Sequence, residues 1–153
     1  MNVSAIVATR GNVNIDVILE SWPDEWEKIV YIGGDGCYFP DLADGVPDVP
    51  DLGPHGRFAA IEYASHDVVF VQDDDVIVSD PQQIVDEWLD LLHNHNRDDV
   101  VVANMPPEFR PHYPDSVMLG FGACFKRDAP EKAFQQFFDF HTTMTRKIGR
   151  AHV

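Results

Sequence analysis

Positive charge is scarce in this chain. Its 153 residues carry 11 lysines and arginines against 26 aspartates and glutamates, a formal net charge of -15. A protein of that sign repels phosphate backbones and anionic headgroups, which argues against direct binding to nucleic acid or to an anionic membrane. Cysteine is nearly absent as well. Cys37 and Cys124 are far apart and in no ligand spacing; free thiols of a reducing compartment are the simpler account, with a single disulfide the alternative. No uninterrupted apolar run approaches the roughly 20 residues of a membrane span, and no basic-then-apolar leader opens the chain. The expectation is a soluble, cytoplasmic protein. Internal repeats and low-complexity tracts are missing too. With 44% hydrophobic residues, the length suits a single domain with its own core.

What the chain has in excess is acid, and one cluster stands out. The apolar run 68–71 and Gln72 lead straight into Asp73, Asp74 and Asp75, after which apolar character resumes at Val76, Ile77 and Val78. The β-branched run reads as a strand buried on both faces, with a second buried strand expected over 76–78. Side chains alternate along an extended chain, so Asp73 and Asp75 are expected to face one way and Asp74 the other. Three adjacent like charges repel one another, and an apolar strand offers them no partner. Two carboxylates converging at a strand end suit a hard divalent cation, Mg²⁺ or Mn²⁺, with phosphate oxygens completing its shell. Such a metal reconciles an acidic protein with a nucleotide ligand. A solvated acidic turn is the plainer alternative.

The rest of the chain alternates strand and helix. Residues 3–8 read as a first strand, Thr9, Arg10, Gly11 and Asn12 as a tight polar turn, and 14–22 as a helix ended by Pro23. A second strand over 29–32 closes on Gly33, Gly34, Asp35 and Gly36. Strand, turn, helix, strand is the opening of a βαβ unit with a parallel sheet, in which ligands bind beyond the carboxyl ends of the strands. Thr9, Arg10, Asp35 and the aspartate triplet all fall at such ends. Residues 37–54, rich in Pro, Asp and Gly, read as an extended loop. A helix is expected over 57–64. Another begins with Asp80 as cap and Pro81 in the first turn, and runs to about His93. A buried strand follows over 100–103, then extended structure over 116–125 with glycines at alternate positions. A last helix from Pro130 carries an apolar face of Ala133, Phe134, Phe137 and Phe138. His93 and His95, two apart near a helix end, make a poor metal pair.

With this order of elements and a buried strand ending in Asp73, Asp74 and Asp75, the chain resembles the GT-A class of nucleotide-sugar glycosyltransferases, whose DXD signature sits at that point. It is closest to the small exostosin-like or family-2-like members. The resemblance covers about residues 2–140. It implies an α/β, Rossmann-like, mainly parallel sheet flanked by helices, incomplete at its C-terminus. It also implies transfer of a sugar from a nucleoside-diphosphate sugar, of UDP or GDP type, to an unknown acceptor. In that comparison Thr9, Arg10, Gly11 and Asn12 correspond to the nucleotide-contacting turn, and Arg57 to a basic position that helps hold the nucleotide. Gly120, Gly122 and Ala123 match a small-residue strand under the donor sugar. The implied metal ligands are Asp75 and Asp73, the latter directly or through water. Asp74 or Asp73 is left to accept from ribose hydroxyls, and Asp35 from the base.

The resemblance also has a gap. Relatives carry a carboxylate after the small-residue strand that acts as base or positions the sugar, but Glu131 and Asp139 lie in a helix without that context, so the catalytic base is unassigned. The ending 148–153 is similar to the translation of a common sequencing adapter. The expectation is therefore a single domain over 1–147 that is truncated, with 148–153 a non-native tail. Two competing functions stay open. A sugar nucleotidyltransferase normally has a longer, glycine-rich basic loop where Thr9, Arg10, Gly11 and Asn12 stand. A binding module, or inactive fragment, would keep the nucleotide pocket without turnover.

Overall fold

A computed structural model describes residues 2–33, 36–38, 40, 52, 55–112, 114, 116–133 and 135. Asp35, most of the 37–54 loop, Phe134, Phe137, Phe138, Asp139 and the 148–153 ending lie outside the described residues.

The elements are β1 (Val3–Thr9), α1 (Asp16–Ser21), β2 (Glu27–Ile32), β3 (Gly36–Tyr38), α2 (Gly56–Ala60), β4 (Val68–Asp73), α3 (Pro81–His95), β5 (Val102–Ala103) and β6 (Ala123–Lys126). They build one six-stranded sheet in the order β3-β2-β1-β4-β6-β5. The class is α/β, as the alternating pattern predicts. The sheet is mixed rather than mainly parallel, however. β1 pairs in parallel with β2 and with β4, while β3, β6 and β5 all join antiparallel. The physical reason lies in the connections. The β1-to-β2 crossover carries α1 and returns the chain in the same direction, whereas only three residues separate β2 from β3, too few for a crossover.

The parallel trio is covered on both sides, and the alternation of its side chains divides the core in two. Val3, Ala5 and Val7 of β1, with Val68 and Phe70 of β4, pack against Ile18, Trp22, Trp26, Val85 and Trp88 on the α1 and α3 side. Ile6, Ile29, Val69 and Val71 pack against Ala60, Ile61 and Ala64 on the α2 side. Strands buried on both faces must be apolar throughout, which is why 68–71 shows no polar alternation. Helix α3 begins as its sequence dictates: the Asp80 side chain accepts from the Gln83 N–H at 3.0 Å, and Pro81 occupies the first turn.

Four local expectations need correction. Residues 76–78 form no strand; Val78 is buried but Ile77 is 65% exposed, since the chain has already turned out of the sheet. The 100–103 segment contributes only the two-residue edge strand β5, half-buried because it has a neighbour on one side alone. The helix expected over 57–64 stops at Ala60 and tightens into a 3-10 turn, Ile61–Tyr63. The 116–125 stretch is interrupted by a second 3-10 turn, Leu119–Phe121, before β6 begins.

Candidate functional site

The parallel trio delivers three strand ends to one edge of the sheet. There a cleft of about 330 Å³ is lined by Ala8, Thr9, Arg10, Asn12 and Val13 after β1, Tyr31 and Gly33 of the β2 end, and Asp73, Asp74 and Asp75 after β4. β1 lies at the centre, with the chain passing to β2 on one side and β4 on the other. That is the reversal point at which open α/β sheets bind ligands. The turn after β1 is built locally: Thr9 Oγ1 accepts from the Gly11 N–H at 3.0 Å, and Gly11 takes a φ of +75° that a side chain would resist. The Thr9 carbonyl accepts from Gly33 N–H at 3.1 Å, tying the β1 and β2 ends together.

The aspartates enter this cleft from a turn, not from a strand. β4 ends at Asp73, and Asp74 and Asp75 are already in turn conformation. All three line the same cleft.

Asp73 is the most constrained of the three. Arg57, only 5% exposed, donates from Nη2 to Asp73 Oδ1 at 2.5 Å. On the other side stands Gly120: a Cβ there would lie 2.0 Å from Asp73 Oδ2. Burial raises the Asp73 carboxyl above its ordinary value; the Arg57 charge opposes this, and the charges of Asp75 and Asp74 reinforce it. The net direction is upward even with a guanidinium in contact. Burial is the largest cause, and the neighbouring carboxylates add to it.

Gln72 is the residue that sequence reasoning passed over. It is fully buried, its Oε1 accepts from Trp22 Nε1 at 2.9 Å, and its Nε2 donates to the Val76 carbonyl at 2.8 Å. A glutamine at the end of an otherwise apolar strand was the available signal, because a buried amide must find partners. Tyr31, which lines the cleft, was missed as well, while Asn12 lies there as part of the expected turn.

The other expected site residues fall in several places. Thr9 and Arg10 line the cleft, while Gly11 is exposed behind it and shapes the turn. Arg57 is buried beside the triplet and acts on it through Asp73. Gly122 has a packing reason: its φ is +98°, and a Cβ would come within 2.7 Å of Val78 and 3.2 Å of Phe70. Ala123 is fully buried in the core on the α2 side. Neither of these last two therefore presents a surface to a sugar, and only Gly120 keeps a place at the cleft, by its contact with Asp73. A larger, mostly apolar cavity on the α2 side, about 820 Å³, is lined by Phe58, Val117, Leu119 and Phe125 among others. Among the described residues its lining holds no lysine, arginine or acidic cluster.

Among the described residues, no group of three or more His, Cys, Asp or Glu side chains is arranged to hold a metal ion. What the cleft brings together is the three aspartates, whose hard oxygens are the donor type that Mg²⁺ or Mn²⁺ would need, with the remaining ligands left to come from elsewhere. No helix of the described residues is long and apolar enough to cross a membrane. No protein-family model, curated protein or solved structure matches the chain.

Proposed function

We propose that this chain is a GT-A-type, metal-dependent glycosyltransferase domain that takes a UDP- or GDP-linked sugar as donor in the cytoplasm, with Mn²⁺ or Mg²⁺ as cofactor. The observation that carries the reading is the meeting of Thr9, Arg10 and the three aspartates in one cleft at the carboxyl ends of parallel strands. An acidic cleft beside a single exposed arginine does not by itself attract a diphosphate; a divalent cation shared between carboxylates and phosphates removes the conflict. When bound, the metal neutralises charge developing on the departing nucleoside diphosphate.

The protein groups then divide the work. Asp75, exposed in the turn, is the ligand free to reach the cation. Asp73, held by Arg57, keeps a second carboxylate close and fixed. Arg10 adds a charge-assisted donor for phosphate oxygens at the rim. Tyr31 and Gly33 close the side next to β2, where the base or ribose is seated.

Titration calorimetry with UDP and GDP, with and without Mn²⁺, tests this reading. Binding should require the metal, and Asp75→Ala should lower affinity by about two orders of magnitude, the upper range for loss of metal support, with an unchanged far-UV spectrum. UDP or GDP affinity that survives Asp75→Ala in Mn²⁺ overturns the assignment. Metal-dependent binding without sugar transfer to any acceptor would instead mark a nucleotide-sugar binding module.

A further inference from the structure

We propose that Gln72 is a positioning residue for the aspartate turn, acting through a relay that runs from Trp22 to the backbone of Val76. The inference rests on the reading of the cleft as a cation and diphosphate site. Trp22, just past the end of α1, donates its indole N–H to Gln72 Oε1, and Gln72 Nε2 donates to the Val76 carbonyl. An indole nitrogen only donates and a backbone carbonyl only accepts, so each bond separately demands the same orientation of the amide. The side chain is fully buried, its bond to Trp22 is buried and its bond to Val76 partly so, and leaving either unmade strands a polar group of the buried amide.

The geometry of this clamp is what matters for the site. Residues 73, 74 and 75 are the only ones between the two ends of the Gln72–Val76 bond. Closing that bond closes the turn and sets the direction in which its backbone delivers the aspartates. Asp73 has independent anchors in Arg57 and in its contact with Gly120. Asp75 is exposed, so the course of its backbone decides where its carboxylate goes. Val78 fixes the exit of the turn, buried against the space that Gly122 leaves. Entry, middle and exit are thereby each held by a different contact, and Gln72 supplies the one that spans the acidic residues.

Two substitutions test the relay on the full chain. Gln72→Met keeps an unbranched side chain of similar length and removes both bonds. Trp22→Phe keeps an aromatic ring against Phe70, whose centroid lies 6.1 Å from that of Trp22, and removes only the indole donor. Mn²⁺ affinity is read by electron paramagnetic resonance of the free ion, and the number of waters on bound Mn²⁺ by water-proton relaxation. Far-UV circular dichroism and thermal melting report the fold. Gln72→Met should weaken Mn²⁺ binding at least tenfold, the scale seen when a group supporting a metal ligand is lost. Trp22→Phe should weaken it about fivefold, the scale of one hydrogen bond. In both, bound Mn²⁺ should carry more water. A folded Gln72→Met with wild-type affinity and hydration overturns the relay and leaves the site reading standing, even if its melting temperature falls. Should Gln72→Met fail to fold, Trp22→Phe decides, and wild-type affinity and hydration there overturn the relay. A wild-type chain that takes up no Mn²⁺, with or without UDP, overturns both.

Discussion

Two carboxylates stand at opposite ends of the same parallel strands, and their surroundings push them in opposite directions. Glu27 opens β2 at the amino end of the sheet. It accepts from the hydroxyl of Ser4, from the Ser65 hydroxyl at 2.7 Å and from the Ser65 N–H at 2.8 Å. The Ser4 oxygen in turn accepts from the His66 N–H at 3.1 Å. Burial works against the ionised Glu27, but these bonds together outweigh it and hold the carboxyl below its ordinary value. Asp73, at the carboxyl end of β4, has a guanidinium in contact and is nevertheless raised, because burial and the charges of Asp75 and Asp74 prevail. The amino end is an electrostatically finished structure. At the carboxyl end burial and the neighbouring carboxylates outweigh the guanidinium, so ionised Asp73 is held at a cost.

Removing Arg57 should sharpen this contrast most. Arg57→Met leaves Asp73 without its buried partner and should destabilise the fold by about 2 kcal/mol in urea unfolding. That is below the figure for a fully buried pair, since the Asp73 side chain is 37% exposed. Added Mn²⁺ should recover part of the loss if the site takes a cation; no recovery would count against the comparison. Gly120→Ala comes next. Its new methyl has to displace the Asp73 carboxylate from Arg57, and a loss of about 1–3 kcal/mol is expected, the range for overpacking. A neutral result would mean that the two sides of the cleft are not in contact.

The smallest effects are in pH dependence, and their signs differ at the two ends. The folded value of Glu27 is depressed, so its contribution is present above the unfolded carboxylate value and disappears as pH falls through the folded one. Glu27→Gln should therefore flatten the acid limb of a stability–pH curve while leaving its shape near neutrality. Asp73 is raised, so its ionisation opposes folding, and that opposition is relieved as pH falls through its folded value. Carbon-13 titration of the carboxyls should place Asp73 above the ordinary aspartate value and Glu27 below the glutamate value, with diamagnetic Mg²⁺ moving Asp73 downward only. An Asp73 titration that Mg²⁺ leaves unchanged would remove the cation from the explanation.

What could be read without coordinates was whatever the chain declares locally. The β-branched runs over 3–8 and 68–71, the Asp80 and Pro81 start of α3, and the position of the aspartates at a strand end all rest on neighbours a few residues away. The groups that went unread have distant partners: Gln72 meets Trp22, Glu27 meets Ser65, and Asp73 meets Gly120. No periodicity reports such a pairing. Gly122 shows the same limit from the other side. Its alternation with Gly120 suggests a shared purpose, yet one glycine makes room for a carboxylate and the other for Val78.

The three-strand parallel centre separates what is rigid from what is adjustable. The cleft opens where the chain leaves strands whose backbones are committed to one another through the ladder. Arg10 and Asn12 are exposed at its rim, so substitutions there should alter the lining of the cleft while the frame keeps its register.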